Sequence, residues 1–104
     1  MFPSWLRRAA DLFAGKPRSG SWPRVRREHL NREPACAACG RRKDLEVHHI
    51  VPFHERPDLE LDDGNLVTLC ADPCHLVFGH LLDYRRRSNP LVREDAARYR
   101  TRLA

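Results

Sequence analysis

Four cysteines stand in two close pairs that could together bind one metal ion. Two residues separate Cys36 from Cys39, three separate Cys70 from Cys74, and thirty lie between the pairs. Each short spacing lets two thiolates converge on one ion, and the two pairs complete a tetrahedral site. Because four thiolates leave no open coordination position, these cysteines predict a structural zinc ion rather than a catalytic one. The alternatives, four free thiols or two disulfides, would give the paired spacing no use.

Three histidines and an asparagine lie between and beside the cysteine pairs. His48 and His49 are adjacent, Asn65 follows a glycine, and His75 follows the last cysteine directly. Adjacent residues of a strand point to opposite faces, so the two adjacent histidines are not expected to bind one ion together. One metal ligand and one proton acceptor fit that geometry better. Taken singly, each of these residues could equally be an ordinary hydrogen-bonded or turn residue.

Two short strands are expected to carry these polar residues. Residues 45–51 alternate between two faces, which is typical of a half-buried strand, and Pro52 ends the pattern. A polar loop follows, and residues 63–64 indicate a turn into the apolar run 66–69. The two segments predict a hairpin with a long connection.

Proline and N-cap signals predict four helices around this hairpin. The expected helices cover residues 4–14, run from Pro23 to Pro34, start at Asp72-Pro73 and reach Leu81, and start at Asn89-Pro90. The first has an apolar stripe suited to packing on the rest of the protein, and a Pro- and Ser-containing linker over residues 15–20 follows it. In the last, one face is formed by Val92, Ala96, Tyr99 and Leu103.

Length and composition favour one small intracellular domain. The chain has 104 residues, 41% of them hydrophobic and 32% charged, which is an ordinary balance for a globular protein. No apolar run approaches the roughly 18 residues that cross a bilayer, and the N-terminal apolar stretch is too short and interrupted for a signal peptide. We therefore expect no membrane partner and a cytoplasmic location, where thiols stay reduced and available to a metal.

Charge divides the chain into three parts. Residues 1–32 form a basic helical arm with net charge +6, residues 33–81 form a core with −5, and residues 82–104 form a basic helical extension with +4. Separate basic arms commonly follow a phosphate backbone. The alternative, arginine-rich helices that simply face water, is equally compatible with the composition. The six arginines expected to contact a phosphate backbone are Arg24, Arg26, Arg27, Arg85, Arg86 and Arg87.

The combined pattern resembles the HNH endonucleases and their ββα-metal fold, in particular small bacterial or phage members. The matching motifs are Cys36-x2-Cys39-Gly40, Leu45-Glu46-Val47-His48-His49-Ile50, Asn65-Leu66-Val67-Thr68-Leu69-Cys70 and Cys74-His75. They cover about residues 33–81. The resemblance implies an α+β fold with a small ββα-metal core, a four-cysteine zinc site and flanking helices.

The same resemblance implies a role for each polar residue. His48 and His75 would bind a catalytic divalent ion, His49 would be the general base, and Asn65 would hold the loop that orients His49. The implied substrate is DNA, cut to 5′-phosphate and 3′-hydroxyl ends with Mg²⁺ or Mn²⁺, while imidazole ligands also tolerate Ni²⁺, Co²⁺ or Zn²⁺. A neutral imidazole can accept a proton from water near neutral pH, since its unperturbed pKa is about 6.5.

Three features depart from the pattern or stay outside it. The second cysteine pair has one residue more than usual, which enlarges the turn between its members. His80 follows His75 by five residues, which places it about 140° away around a regular helix, so we expect it to pack or contact phosphate rather than bind metal. The loop acids Asp58, Glu60, Asp62 and Asp63 are interpreted as solvated charge, and His29 and His54 receive no role.

The sequence thus predicts a metal-dependent HNH endonuclease that hydrolyses DNA. The alternative is a non-catalytic, zinc-stabilised module that binds nucleic acid or a partner protein. Because the core is acidic, affinity for DNA would come largely from the basic flanks. The sequence leaves the oligomeric state open between monomer and weak dimer.

Overall fold

The computed structural model describes residues 19–85 and 87–104. The helix expected over residues 4–14 and the expected DNA contact Arg86 lie outside this described part. The elements are α1 (Trp22–Arg32), β1 (Leu45–His49), β2 (Leu66–Cys70), a π-helix (His75–Gly79) and α2 (Val92–Leu103), with 3-10 turns at Pro57–Leu59 and Asp63–Asn65. The α+β class expected from the sequence is confirmed.

Helix α1 begins and ends where its prolines predict. Pro23 lies in the first turn, where the N–H that proline lacks would have no helical partner. Val25 and His29 are buried on one face of the helix. The backbone N–H of Glu33 donates to the carbonyl of His29 at 2.7 Å, and Pro34 follows. Helix α1 therefore packs on the rest of the protein through the face that carries Val25 and His29.

The two strands form the predicted antiparallel hairpin. Leu45 faces Cys70 at one end of the ladder, and His49 faces Leu66 at the other. All five residues of β2 are buried, whereas in β1 only His48 is buried, Glu46 is exposed and the other three residues are half-buried. The backbone N–H of Ile50 donates to the carbonyl of Asn65 at 2.8 Å and closes the long connection. This hydrogen bond holds the two strands together at the end of the hairpin that contains His48 and His49.

The segment after the second cysteine pair differs in helix type from the expectation. An α-helix capped at Asp72 was expected, but His75–Gly79 form a π-helix whose N-cap is Cys74, with no side-chain cap. The backbone N–H of Leu82 donates to the carbonyl of Leu76 at 2.9 Å and ends the turn. A π-helix makes hydrogen bonds between residues five apart, so the periodicity of an α-helix does not apply here.

The core lies between the cysteine pairs, β2 and α2. Its buried cluster consists of Cys36, Ala38, Val67, Leu69, Cys70, Cys74, Val92 and Ala96. Helix α2 starts two residues after Pro90, and Val92 and Ala96 of the expected face are buried. Tyr99 and Leu103 of the same face are 40% and 51% exposed, although the Tyr99 ring packs on that of Phe78, so the second half of the face is only partly covered. Across residues 19–85 and 87–104, no helix is long and apolar enough to cross a membrane.

Candidate metal centre and catalytic cleft

The four cysteines converge on one point. Their sulfur atoms all lie within 4.8 Å of one another, and Sγ of Cys39 and Sγ of Cys70 are 3.9 Å apart. Gly40 has a φ of +79°, which allows the chain to turn directly after Cys39. The extra residue in the second pair does not prevent convergence. The cluster can therefore hold a metal ion, as the spacing predicts.

The pKa values of the clustered cysteines are shifted in different directions. Burial and the neighbouring Cys70 and Cys36 sulfurs raise the pKa of Cys74 far above its usual range. At Cys36 burial also acts to raise the pKa, but backbone N–H groups, with Cys39 first among them, outweigh it and lower the pKa. Four close thiolates repel one another, and a bound cation removes that repulsion. The donor set fits Zn²⁺ in a closed structural site.

Three histidine rings form a second cluster, with His48 from β1 and His75 and His80 from the segment that begins at the π-helix. One nitrogen of His48, His75 and His80 lies within 4.8 Å of those of the other two. Nδ1 of His48 is 3.1 Å from Nε2 of His75, and Nε2 of His80 is 3.2 Å from the same atom. The expectation that His80 points away from His75 is therefore wrong. The i→i+5 repeat of the π-helix returns residues five apart to the same side.

Two hydrogen bonds fix which nitrogens of these rings face the cluster. Nδ1 of His75 donates to a carboxylate oxygen of Glu46 at 2.9 Å, and Nδ1 of His80 donates to the carbonyl of Arg87 at 2.8 Å. A carboxylate oxygen and a carbonyl oxygen can only accept, so Nδ1 of each ring carries a proton. In the neutral ring the lone pair is therefore on Nε2. Metal-bound histidines are oriented by outer partners of this kind.

His48 is the most buried member of the cluster. Burial, followed by the nearby His75 and His80 rings, lowers the pKa of His48 to about 3. The ring is therefore neutral at neutral pH, which is the form that binds a metal. Its Nε2 is buried without a hydrogen-bond partner among the described residues. The nitrogen of His48 that faces the other two rings is Nδ1, so a cation in the cluster would be bound by Nδ1 of His48.

Gly79 lets His48 approach the π-helix. A Cβ at Gly79 would lie 3.1 Å from Cε1 of His48, closer than nine in ten real Cβ contacts.

The side-chain amide of Asn89 donates to the carbonyl of Phe78 at 3.0 Å, and its backbone N–H donates to the carbonyl of Gly79 at 2.9 Å. Asn89 therefore satisfies the last carbonyls of the π-helix that carries the histidines.

His49 points away from this cluster, as the alternation of a strand predicts. Its Nε2 lies 2.9 Å from the carbonyl oxygen of Glu60, and its ring packs on that of Trp22 with centroids 4.6 Å apart. A carbonyl only accepts, so Nε2 carries the proton and the lone pair of the neutral ring is on Nδ1. His49 therefore has one basic nitrogen and one nitrogen used to orient it.

Asn65 ties the loop after β1 to the start of β2. Its Oδ1 accepts from the backbone N–H of Val51 at 2.8 Å, and its Nδ2 donates to the carbonyls of Val51 and Leu59 at 3.1 and 3.3 Å. Asn65 is only 6% exposed, so these bonds are shielded from water. Leu59 precedes Glu60, so this amide holds the segment whose carbonyl contacts His49.

His49 and the three clustered histidines line one open cleft together with part of the basic C-terminal segment. The cleft has a volume of about 400 Å³, and its walls include His48, His49, His75, His80, Tyr84, Arg85 and Arg87. The arginines of α1 are not among its lining residues. Arg24 pairs with Glu28 at 3.0 Å, Arg26 donates to the carbonyl of Leu45 at 3.4 Å, and Arg27 is exposed. The structure thus brings Arg85 and Arg87, but not Arg24, Arg26 or Arg27, to the histidines.

The interpretation of the loop acids as solvated charge is wrong for Glu60, and Asp63 is exposed but has specific partners. Glu60 is 4% exposed, and its carboxylate accepts from the backbone N–H of Ser19 at 3.1 Å. Asp63 contacts Nδ1 of His29 and a guanidinium nitrogen of Arg32, each at 2.7 Å. His29 therefore has a role after all, in joining α1 to this loop. Loop position alone does not reveal such partners.

Sequence reasoning missed Glu46, Trp22 and Asn89 as residues that support the site. Glu46 could have been found, since it precedes His48 by two positions and shares its face of β1. Trp22 and Asn89 carry no such signal, because their contacts join distant segments.

The comparisons with known proteins agree with the geometry. A search of curated proteins and a search of solved structures each gave no match. Residues 36–77 match the family model described as HNH endonuclease. The matched segment contains both cysteine pairs, the hairpin and His75, and it ends within the π-helix before His80. The resemblance inferred from the cysteine, histidine and asparagine motifs is thereby confirmed over this segment, in which residues 36–77 match the HNH endonuclease model.

Proposed function

We propose that the protein is a metal-dependent endonuclease that hydrolyses phosphodiester bonds of DNA. The observation that carries this proposal is the convergence of His48, His75 and His80 beside a separately held His49 in one cleft. Three neutral imidazoles suit a divalent ion, and a fourth imidazole outside the cluster suits proton transfer. The HNH match of residues 36–77 supports the same reaction class.

His49 is the proposed general base. Its Nε2 proton is used in the bond to the carbonyl of Glu60, so Nδ1 is the nitrogen that accepts a proton from water. When the ring becomes charged, that same carbonyl stabilises the Nε2–H donor. Positioned base catalysis of this kind contributes typically about 10²–10⁴-fold to a rate.

His48, His75 and His80 are the proposed ligands of the catalytic ion. These three residues would hold a divalent cation, which would stabilise the negative charge that develops on the phosphate and the leaving group. Glu46 and the carbonyl of Arg87 keep the rings of His75 and His80 in the orientation that exposes Nε2. Mg²⁺ or Mn²⁺ is the proposed working ion, and Ni²⁺, Co²⁺ and Zn²⁺ are compatible with imidazole ligands.

The two other proposed components are a structural zinc and a basic approach for DNA. Zn²⁺ on the four cysteines would link the turn that contains Cys36 and Cys39 to the end of β2 and the turn that follows it. Arg85 and Arg87 line the cleft and would contact phosphates beside the scissile bond. Attack of water on phosphorus with cleavage of the P–O3′ bond would leave a 5′-phosphate and a 3′-hydroxyl end.

Supercoiled plasmid gives the direct test. We expect nicked or linear product in the presence of Mn²⁺ and none with EDTA, and His49→Ala should lose about 10²–10⁴-fold in rate at unchanged zinc content. A His54→Ala variant serves as a control for the loss of a neighbouring imidazole. Retarded DNA migration without any cutting would contradict the enzyme and favour the non-catalytic binding module.

A further inference from the structure

Trp22 covers one face of the His49 imidazole, and it does so from outside the HNH segment. The ring centroids lie 4.6 Å apart and the ring planes are inclined by 35°. Aromatic rings at this separation attract one another in offset or tilted arrangements. Trp22 is the first residue of α1, whereas the matched segment begins at Cys36. Helix α1 therefore places a side chain directly against the proposed base.

A second contact holds the same ring at its edge. Nε2 of His49 donates to the carbonyl of Glu60 at 2.9 Å. A ring that is packed on one face and bonded at one nitrogen has both of its side-chain torsions restricted. Each contact alone leaves one rotation open, because a stack permits sliding within the plane and a single hydrogen bond permits rotation about it.

Ser19 joins the two groups that hold the ring. Its backbone N–H donates to the two carboxylate oxygens of Glu60 at 3.1 and 3.3 Å. Its carbonyl accepts from the backbone N–H of Trp22 at 3.1 Å. His49, Glu60, Ser19 and Trp22 thus form a closed cycle of contacts, in which the carboxylate of Glu60 is largely shielded from water.

Helix α1 is also tied to the loop that carries Glu60. His29 and Arg32, near the C-terminal end of the helix, both contact Asp63 at 2.7 Å. Asp63 lies in the turn that leads to Asn65, and Asn65 bonds to the carbonyl of Leu59. The helix and the loop are therefore connected at both ends of α1, so Trp22 is supported by more than its own packing.

We propose that Trp22 is a positioning residue that holds the His49 imidazole in one orientation and one tautomer. The catalytic meaning of this proposal rests on the nuclease function proposed above. A misplacement of about 1 Å at a reacting group can cost about 10²-fold in rate. Trp22 is not among the residues that line the cleft, so its loss should lower kcat and leave KM nearly unchanged.

The kinetic test compares three variants on plasmid or oligonucleotide substrate. Trp22→Ala should lower kcat about 10–100-fold with KM within about two-fold, and Trp22→Phe should restore most of kcat. Val25→Ala removes a buried side chain from the same helix but keeps the Trp22 ring, and it should keep kcat near the wild-type value. A loss of kcat in Val25→Ala equal to that in Trp22→Ala would overturn the proposal, since it would show an effect of helix stability.

A spectroscopic test does not depend on cleavage. Nitrogen-15 spectra of the zinc-loaded wild-type protein should show His49 as a single tautomer with the proton on Nε2, and Trp22→Ala should show a mixture. An unchanged His49 tautomer in Trp22→Ala would overturn the positioning role even if the wild-type protein cuts DNA. A mixture in Trp22→Ala together with an inactive wild-type protein would instead contradict the proposed function. If Trp22→Ala loses zinc and structure, equal kcat in Trp22→Phe and Trp22→Leu would overturn the stacking contact.

Discussion

Nε2 of His80 lies 3.2 Å from Nε2 of His75, although five residues separate them in the sequence. On an α-helix this spacing would direct the two rings about 140° apart. The π-helix His75–Gly79 brings them together and adds a third nitrogen to those of His48 and His75. The histidine cluster therefore has three donors where the sequence predicts two.

His80 should accordingly contribute to metal affinity. His80→Ala is expected to weaken binding of Mn²⁺ or Ni²⁺ by at least the roughly 10–100-fold that outer-sphere changes cause in metal sites. Calorimetric titration of the zinc-loaded protein measures this, with His54→Ala as the control for loss of an exposed imidazole. Equal affinity of His80→Ala and wild-type protein would show that His80 only packs against the site.

The cysteine cluster should hold one zinc ion that the fold requires. Cys39→Ser removes the half-buried member of the cluster, and we expect loss of zinc together with loss of the cooperative unfolding transition. Elemental analysis and circular dichroism measure the two effects. A Cβ added at the neighbouring Gly40 would lie 2.7 Å from the guanidinium carbon of Arg100, so a change at Gly40 would also disturb packing. Cys39 is therefore the appropriate position to change. A folded wild-type protein that contains no zinc would contradict the prediction.

The arginines that line the cleft should dominate DNA affinity. Replacing Arg85 and Arg87 with Ala is expected to weaken binding to all sequences and to reduce the log–log salt slope by about 0.9 for each lost phosphate contact. Arg98→Ala with Arg102→Ala removes the same charge from a groove on α2 that lies outside the cleft, and it should have a smaller effect. Equal effects of the two double variants would show that only net charge matters.

The pair of His29 and Glu33 should make stability depend on pH. The hydrogen bond to Glu33, opposed by burial and supported by Asp63, raises the pKa of His29 above 6.5. Because the folded pKa is the higher one, this contribution is complete below about 6.5 and is lost as pH rises through the folded value. The stability difference between wild-type protein and His29→Gln should therefore shrink on the alkaline side.

Glu33 sets the acid side of the same dependence. Burial acts to raise its pKa, but hydrogen bonds from His29 and Arg93 and from the backbone of Thr68 lower it to about 2. This contribution is present above the ordinary value of about 4.5 and is lost as pH falls toward 2. Denaturant unfolding of the zinc-loaded proteins at several pH values measures both limbs. A pH-independent difference between wild-type protein and His29→Gln would contradict the assignment.

Features set by local spacing could be predicted from the sequence. The two cysteine pairs converge, α1 begins at Trp22 and ends before Pro34, and the strands pair as a hairpin. The opposite directions of His48 and His49 also follow from the sequence, because adjacent strand residues always alternate. Each of these features depends on residues within one turn, one strand or one metal-binding pair, so the local pattern contains the necessary information.

The arrangement around each histidine was decided only by the tertiary structure. Whether His80 joins the metal cluster depends on a π-helix, and its hydrogen-bond period is not visible in the residue types of the segment. Trp22 reaches His49 and Asp63 reaches His29 across long stretches of sequence, so their contacts depend on how α1 packs on the loop. The sequence by itself determined which residues can bind metal or accept a proton, because that is a property of side-chain chemistry and short spacing. Only packing decided which of them meet, because contacts between distant segments require the folded chain.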